Sequence, residues 1–410
     1  MNKKLNITYL SPGWPLSAYP NGIVAYIKSI ISGFDDNVEA SIIAHRVQGQ
    51  TLESIINLSQ LIQKKSFNDK LQDKILFHTK VPFAQQKLYE RRIKGVSNLI
   101  TQAMGMLPDE PDLIEIEESF GYGQWLTAST DIPVITRLHG PWFIMAGMQS
   151  EEDDSYAARV RCEGNAIKLS QGITAPSLDV LNKVREYYNC LLPEAKVIPN
   201  PAPAVAVNEQ WKLECSLKQT ILFVGRFDLT KGGDLAIDAF RIIANHNREI
   251  ELIFVGPDRG VPIKGKIYSF EGYIEKFVPE ASIKDRIQFL GHCETEKIAA
   301  LRKTSTVTMM TSRYDNFPMS LLEAIATGSP VICTAVGGMK EIIINDFNGL
   351  LADPESANSI AENVLTLLGD VDKMKTMSKN AIKDSQERFS ASVVAKQTEE
   401  YYRSILTDQP

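Results

Sequence analysis

The sequence predicts an α/β protein built from two doubly wound parallel-sheet domains. Three observations carry that prediction. Short apolar runs recur along the whole chain with helix-compatible stretches between them, the alternation that builds parallel sheets. Residues 199–210, PNPAPAVAVNEQ, hold three prolines and almost no charge, which is linker chemistry and sets the domain boundary between 1–203 and 204–387. Residues 311–344 spell out a complete unit of such a sheet: a charged aromatic loop, a helix, an apolar strand, a glycine pair and a second helix.

Composition narrows the function. The 410 residues suffice for two to three ordinary domains, and 44% apolar with 23% charged residues is the balance of a globular protein. A net charge of -6 argues against nucleic acid as the main partner, because phosphate neutralisation needs a basic face. The cysteines, 5 in all and without a Cys-x-x-Cys pair, read as reduced structural thiols of a cytoplasmic protein, with neither zinc nor a disulfide framework indicated. No apolar run approaches the roughly 20 residues of a membrane span.

Taken in order, residues 5–10 read as a buried strand; Pro12, Gly13 and Pro15 end it, so this start is a strand and loop, not a signal peptide. The loop SPGWPLSAYPNG leads to a helix beginning near Ile23, and Gly22 is either a turn glycine or a point of backbone approach to a ligand. Further strands are expected at 40–44, 75–78, 112–116, 134–138, 172–175 and 196–198. The segment 64–94, opening on Lys64 and closing on Lys94, carries nine Lys or Arg against three acids, interleaved with apolar residues. It reads either as a solvated helix face or as a peripheral membrane contact. Glu115, Glu117 and Glu118, followed by FGYGQW, either line an acceptor site or form a packed loop. His139, in TRLHGPW, is either structural or a ligand contact, and its place after a strand on the ligand side favours the second. The acidic run 151–154 reads as a solvated loop or helix start.

Past the linker, residues 220–224 form a strand followed by GRFDLTKGGD. Neither a Walker loop nor GxGxxG is present, which leaves Arg226 and Lys231 as two cations in a strand-to-helix loop, suited to a diphosphate. Strands at 252–256, 287–291 and 307–310 follow, and the loop Gly291-His292-Cys293 is expected to leave the strand next to the 311–344 unit. In that unit, Pro318 opens a helix and Gly328 stops it. Asp315 lies in the loop and Glu323 in the helix with seven residues between them, so the two converge on the helix start only if the loop folds back. An uncapped helix start is an anion site, and flanking carboxylates suit sugar hydroxyls, which together suggest a nucleotide-sugar. Asp370-Val371-Asp372 imitates a metal motif but lies between two amphipathic helices and reads as a turn and helix cap.

This stretch resembles the signature of the retaining glycosyltransferases of family 4, also grouped as glycosyl transferases group 1. The residues that carry the resemblance are Asp315, Glu323-Ala324, Gly328, Pro330, Gly337-Gly338 and Glu341, with Asp315 where the family usually has Glu. It covers the second domain specifically and the first at scattered points. It implies the GT-B fold, two Rossmann-like domains facing across a cleft, acceptor mainly on the first and donor mainly on the second, with the closing helix, about 388–410, completing the first. It implies transfer of a hexose from a nucleotide-sugar, UDP-glucose being the family's usual donor, to a glycan or lipid-linked acceptor, with retention and without cofactor or metal. By resemblance His139, Asp315, Arg226 and Lys231 form the catalytic group. The donor is then held by Gly22, Arg226, Lys231, Phe317, Pro318, Met319, Ser320, Leu321 and Glu323, and Asn200 lies near the cleft. Two rivals stand beside this reading: another enzyme on the same architecture, such as an epimerase or phosphorylase, and a non-catalytic nucleotide-sugar-binding subunit.

Overall fold

The computed structural model describes residues 4–49, 52–62, 84–146, 154–215 and 219–407. The strand expected at 75–78, most of the basic segment 64–94 and nearly all of the acidic run 151–154 lie outside the described residues. The chain divides into two compact units, one running to Pro199 and resumed from Val394, the other Asn200–Val393. Residues 200–203 therefore go with the second unit, where the Asn200 amide donates to the Phe317 carbonyl (3.1 Å) and Ala202 N–H to Phe389 (2.7 Å).

In the first unit, strands β1 (Leu5–Ser11), β2 (Val38–Ala44), β3 (Ile55–Asn57), β4 (Leu113–Glu117), β5 (Val134–Arg137), β6 (Gly172–Ala175) and β7 (Lys196–Val197) form one seven-stranded sheet in the order β3-β2-β1-β4-β5-β6-β7. Every pairing is parallel. Helices cover both faces, which is why the strands are apolar runs without alternation. One core joins Leu5, Ile7 and Tyr9 to helix α1 (Gly22–Ile31) and to the closing helix; the other joins Ile43, Ile114 and Ile116 to helix α2 (Ala84–Met104). Helix α3 (Asp154–Leu169) and helix α4 (Leu178–Tyr187) complete the layers. Strand β3 was not legible in the sequence; it is a three-residue edge strand, half-buried, too short to show a period.

In the second unit, β8 (Thr220–Val224), β10 (Glu251–Val255), β13 (Ile287–Gly291), β14 (Val307–Met310), β15 (Val331–Thr334) and β16 (Leu350–Ala352) form a six-stranded parallel sheet in the order β13-β10-β8-β14-β15-β16. Between them run α5 (Gly233–His246), α6 (Phe270–Phe277), α7 (Thr295–Thr304), α8 (Met319–Thr327) and α9 (Met339–Ile342); α10 (Ala357–Leu368) and α11 (Val371–Phe389) follow β16, and α12 (Ala391–Thr407) belongs to the first unit from Val394. A small sheet of β9 (Phe227–Asp228), β11 (Asp258–Ile263) and β12 (Lys266–Tyr268) stands beside the six-stranded sheet, in the order β12-β11-β9, beyond the strands expected from the sequence.

Strand order corrects one expectation. The loop Gly291-His292-Cys293 does not leave a strand beside the 311–344 unit: β13 is the sheet edge and pairs with β10, whereas β14 pairs with β8 and β15. The chain runs outward from β8 to that edge and then crosses back past β8, so sequence proximity is lost in space. Asp370 caps α11, its side chain accepting from Lys373 N–H at 2.9 Å, as its place between helices predicts.

Candidate active site

Both sheets reverse direction of winding once, between β1 and β4 in the first unit and between β8 and β14 in the second. In open α/β sheets the loops leaving the carboxyl ends on either side of that point part and make a crevice for ligands. The second unit places its candidate residues there: the β8 loop carries Arg226 and Lys231, and the β14 loop carries Asp315.

The β14 loop is held from several directions. Arg313 binds both carboxylate oxygens of Asp234 at 2.8 Å and the Leu229 carbonyl at 2.8 Å. Thr334 donates to the Ser312 carbonyl (2.6 Å), and Gly338 N–H to that of Asp315 (3.0 Å). The glycine pair has a steric reason. A β-carbon on Gly338 would lie 1.9 Å from the Asn316 carbonyl oxygen, and one on Gly337 (φ +48°) 2.1 Å from that of Asp315. The loop thus folds back against the turn, and Asp315 sits off the helix.

Lys231 Nζ is hydrogen-bonded to Asp315 Oδ2. Asp228, buried, orders the other loop: one oxygen accepts Lys231 N–H at 2.7 Å and the other takes Arg226 Nε at 2.5 Å. Pro318 is the N-cap of α8 and no side chain caps the helix; Gly328, at φ 78°, ends it. Phe317, Pro318 and Leu321 are buried, Phe317 packing edge-on against Phe389, so contact with a ligand by these residues would run through main chain. Met319 and Ser320 are half-buried. Glu323, one turn in, pairs with Arg302 of α7 at 2.6 Å.

In the first unit, His139 follows β5 and is half-buried; its ring meets that of Tyr26 edge-on at 5.1 Å. Burial, with Arg137 close by, holds the imidazole well below its ordinary range, so it is neutral at neutral pH. Glu118, at the end of β4, accepts both His139 N–H (2.8 Å) and Gly140 N–H (2.6 Å). Burial, with Glu163 beside it, pushes the Glu118 carboxyl up to about 8. Glu163 in turn accepts from Phe120 N–H (3.0 Å) and Trp142 N–H (2.8 Å), and Arg159, its ion-pair partner, lies over both aromatic rings. Gly22 is the first residue of α1, exposed, with open space where a side chain would stand. Asn21 has an extended backbone (φ -148°), and its side chain caps α1 by accepting Ile23 N–H at 2.7 Å.

Residues 209–384 match the family described as glycosyl transferases group 1. The match lies within the second unit and spans less than half of the chain. The fold of the chain is GT-B. An uncharacterized glycosyltransferase of Methanocaldococcus jannaschii is 28% identical over 266 residues, which cover 62% of this chain and 65% of the relative, just under two thirds of its length. Sucrose-phosphate synthase from Thermosynechococcus elongatus superposes with a TM-score of 0.71 at 18% identity, over 99% of this chain and 100% of that one. Anabaena HepE, solved with UDP-glucose, gives 0.63 at 18% identity over 98% of this chain and 100% of its own.

In the second unit the sequence points to the charged residues of the β8 and β14 loops but not to what orders them. Asp228 was legible in principle, as an acid between Arg226 and Lys231 in a glycine-rich loop. Arg302 and Asp234 carried no such sign, because their partners lie on other elements. In the sequence Glu118 is one of three neighbouring acids, and nothing beside it marks its grip on the His139 loop.

Proposed function

We propose that this chain is a retaining, metal-independent hexosyltransferase that takes its sugar from a nucleotide-sugar, a UDP-sugar such as UDP-glucose, and passes it to a glycan or lipid-linked acceptor. The observation that carries the reading is the joining of Lys231 to Asp315 across the switch point of the second sheet, beside the uncapped start of α8. Cation, helix amides and carboxylate are the three groups that a sugar diphosphate requires. In this reading Arg226, Lys231 and the amides of Met319, Ser320 and Leu321 hold the diphosphate, Asp315 and His139 orient the hexose, and Glu323 takes the ribose hydroxyls. Gly22 is counted with them as a donor contact. HepE's complex with UDP-glucose supports the choice of donor for a related fold.

The bond from the anomeric carbon to the diphosphate oxygen breaks, its electron pair leaving on phosphate. The acceptor oxygen bonds to the same face of that carbon, and its proton passes to a phosphate oxygen. Arg226, Lys231 and the α8 amides stabilise the charge that builds on the leaving group, so the step calls on no protein nucleophile and no metal. Among the described residues no three His, Cys, Asp or Glu side chains gather as a metal site. No described helix is long and apolar enough to cross a membrane. The reading is of a cytoplasmic enzyme working at the membrane surface, where the exposed cations Lys87, Arg92 and Lys94 of α2 would meet anionic lipid.

The test is nucleotide release by the purified protein from UDP-, GDP- and ADP-sugars with EDTA present. Release from one donor, stimulated by an acceptor extract, is expected. Binding without release from any donor would favour a non-catalytic nucleotide-sugar-binding subunit instead.

A further inference from the structure

The geometry points to Arg302 as the positioning residue for the donor's ribose, a role that rests on the reading above, in which Glu323 meets the ribose hydroxyls. Arg302 stands on α7, the helix before β14, and its side chain is 4% exposed, whereas that of Glu323 is 34% exposed. Its Nη1 binds Glu323 Oε2 at 2.6 Å, and its Nη2 donates to the Ser320 carbonyl at 3.3 Å. Among the described residues Arg302 is the partner found for the Glu323 side chain.

The asymmetry in burial sets the roles. A guanidinium stays protonated at any ordinary pH, and out of water it must keep a carboxylate beside it. Glu323, with one face in solvent, would otherwise sample several rotamers and lose that freedom when a ligand bound. Arg302 removes the freedom beforehand by occupying Oε2, which leaves Oε1 to accept from a ribose hydroxyl. Through Ser320 the same guanidinium grips the first turn of α8. The ribose acceptor and the amides that receive the diphosphate are thereby held as one body. Arg302 touches no ligand in this account.

A binding experiment separates this role from a merely structural one. Isothermal titration with UDP and 2′-deoxy-UDP and with UDP and 3′-deoxy-UDP, and with the matching GDP and ADP sets, measures how strongly the ribose hydroxyls count. A hydroxyl donating to a charged carboxylate is expected to favour the ribo form roughly 10- to 100-fold in the native protein. Arg302→Met is expected to cut that preference to about threefold or less, through weaker ribo binding with deoxy binding nearly unchanged, as is Glu323→Gln. Should Arg302→Met not fold, Arg302→Lys, which keeps the charge but loses the fork, takes its place and is expected to lose the greater part of the preference. If the Arg302 variant keeps the full preference, or weakens ribo and deoxy ligands equally, while Glu323→Gln loses it, the positioning role is overturned and the donor reading stands. If Glu323→Gln also keeps the preference, Glu323 is not on the ribose and the donor assignment itself fails.

Discussion

Lys231 and Asp315, 84 residues apart in the chain, are bound to each other at the switch point of the second sheet. In the proposed reaction the carboxylate orients the sugar and the ammonium holds the diphosphate, so donor binding must redistribute this pair. Lys231→Ala should lower kcat/KM at least 100-fold, as expected when a charge on the leaving group loses its partner in a sheltered site. Asp315→Asn should act differently. It removes a negative charge facing the diphosphate and releases Lys231, so nucleoside diphosphate binding should tighten about threefold while transfer falls about 100-fold. Titration calorimetry and initial rates on the same preparations check the split; tighter binding with undiminished transfer would remove Asp315 from the sugar.

Gly338 lets the turn after β15 lie against the β14 loop. A β-carbon there would stand 1.9 Å from the Asn316 carbonyl oxygen, so Gly338→Ala must displace the loop that carries Asp315. Stability should fall by about 2 kcal/mol, the ordinary cost of overpacking, measured by urea unfolding. Donor affinity should fall with it, although residue 338 touches no charged group of the site.

The buried acids at the end of β4 make the first unit sensitive to alkali. Glu117 is pushed up to about 7 by burial, against a normal value of 4.5. Its folded pKa is raised, so between those two values the folded state holds a proton that the unfolded state releases. The stability it contributes is full below about pH 4.5 and is lost as pH rises through about 7. Glu117→Gln should abolish that loss: relative to the native protein it should gain about 3 kcal/mol between pH 4.5 and pH 8.5. Urea melts at both pH values give the double difference, in which contributions from groups that do not interact with Glu117 cancel; Glu118, which Glu117 helps to raise, adds a smaller change of the same sign.

Tyr402 on the closing helix hydrogen-bonds the buried carboxylate of Glu115, which also accepts from Tyr26 at 3.2 Å. Tyr402→Phe keeps the ring and removes the bond, leaving Glu115 one partner fewer in a desolvated place. A loss of about 2 kcal/mol in unfolding free energy is expected, with little change in donor binding, since none of the residues proposed to hold the donor lies on α12. An unchanged unfolding midpoint would show that Glu115 finds another donor.

The sequence by itself determined whatever rests on neighbours along the chain. The apolar runs that became β1, β8 and β14, the Pro318 start and Gly328 stop of α8, the Gly337-Gly338 turn and the cap at Asp370 are all set by local period, backbone preference and short-range sterics. Short or half-buried elements such as β3 and β12 escaped because a three-residue strand shows no period. The tertiary structure alone decided which carboxyl ends stand together. Strand order put β14 beside β8 and sent β13 to the edge, and that order brings Lys231 to Asp315 and Arg313 to Asp234. Arg302 finding Glu323 and Glu118 finding the His139 amides are decisions of the same kind. Each pairs groups from different elements, and such pairings follow from how whole sheets and helices bury their apolar faces, information that no window of sequence contains.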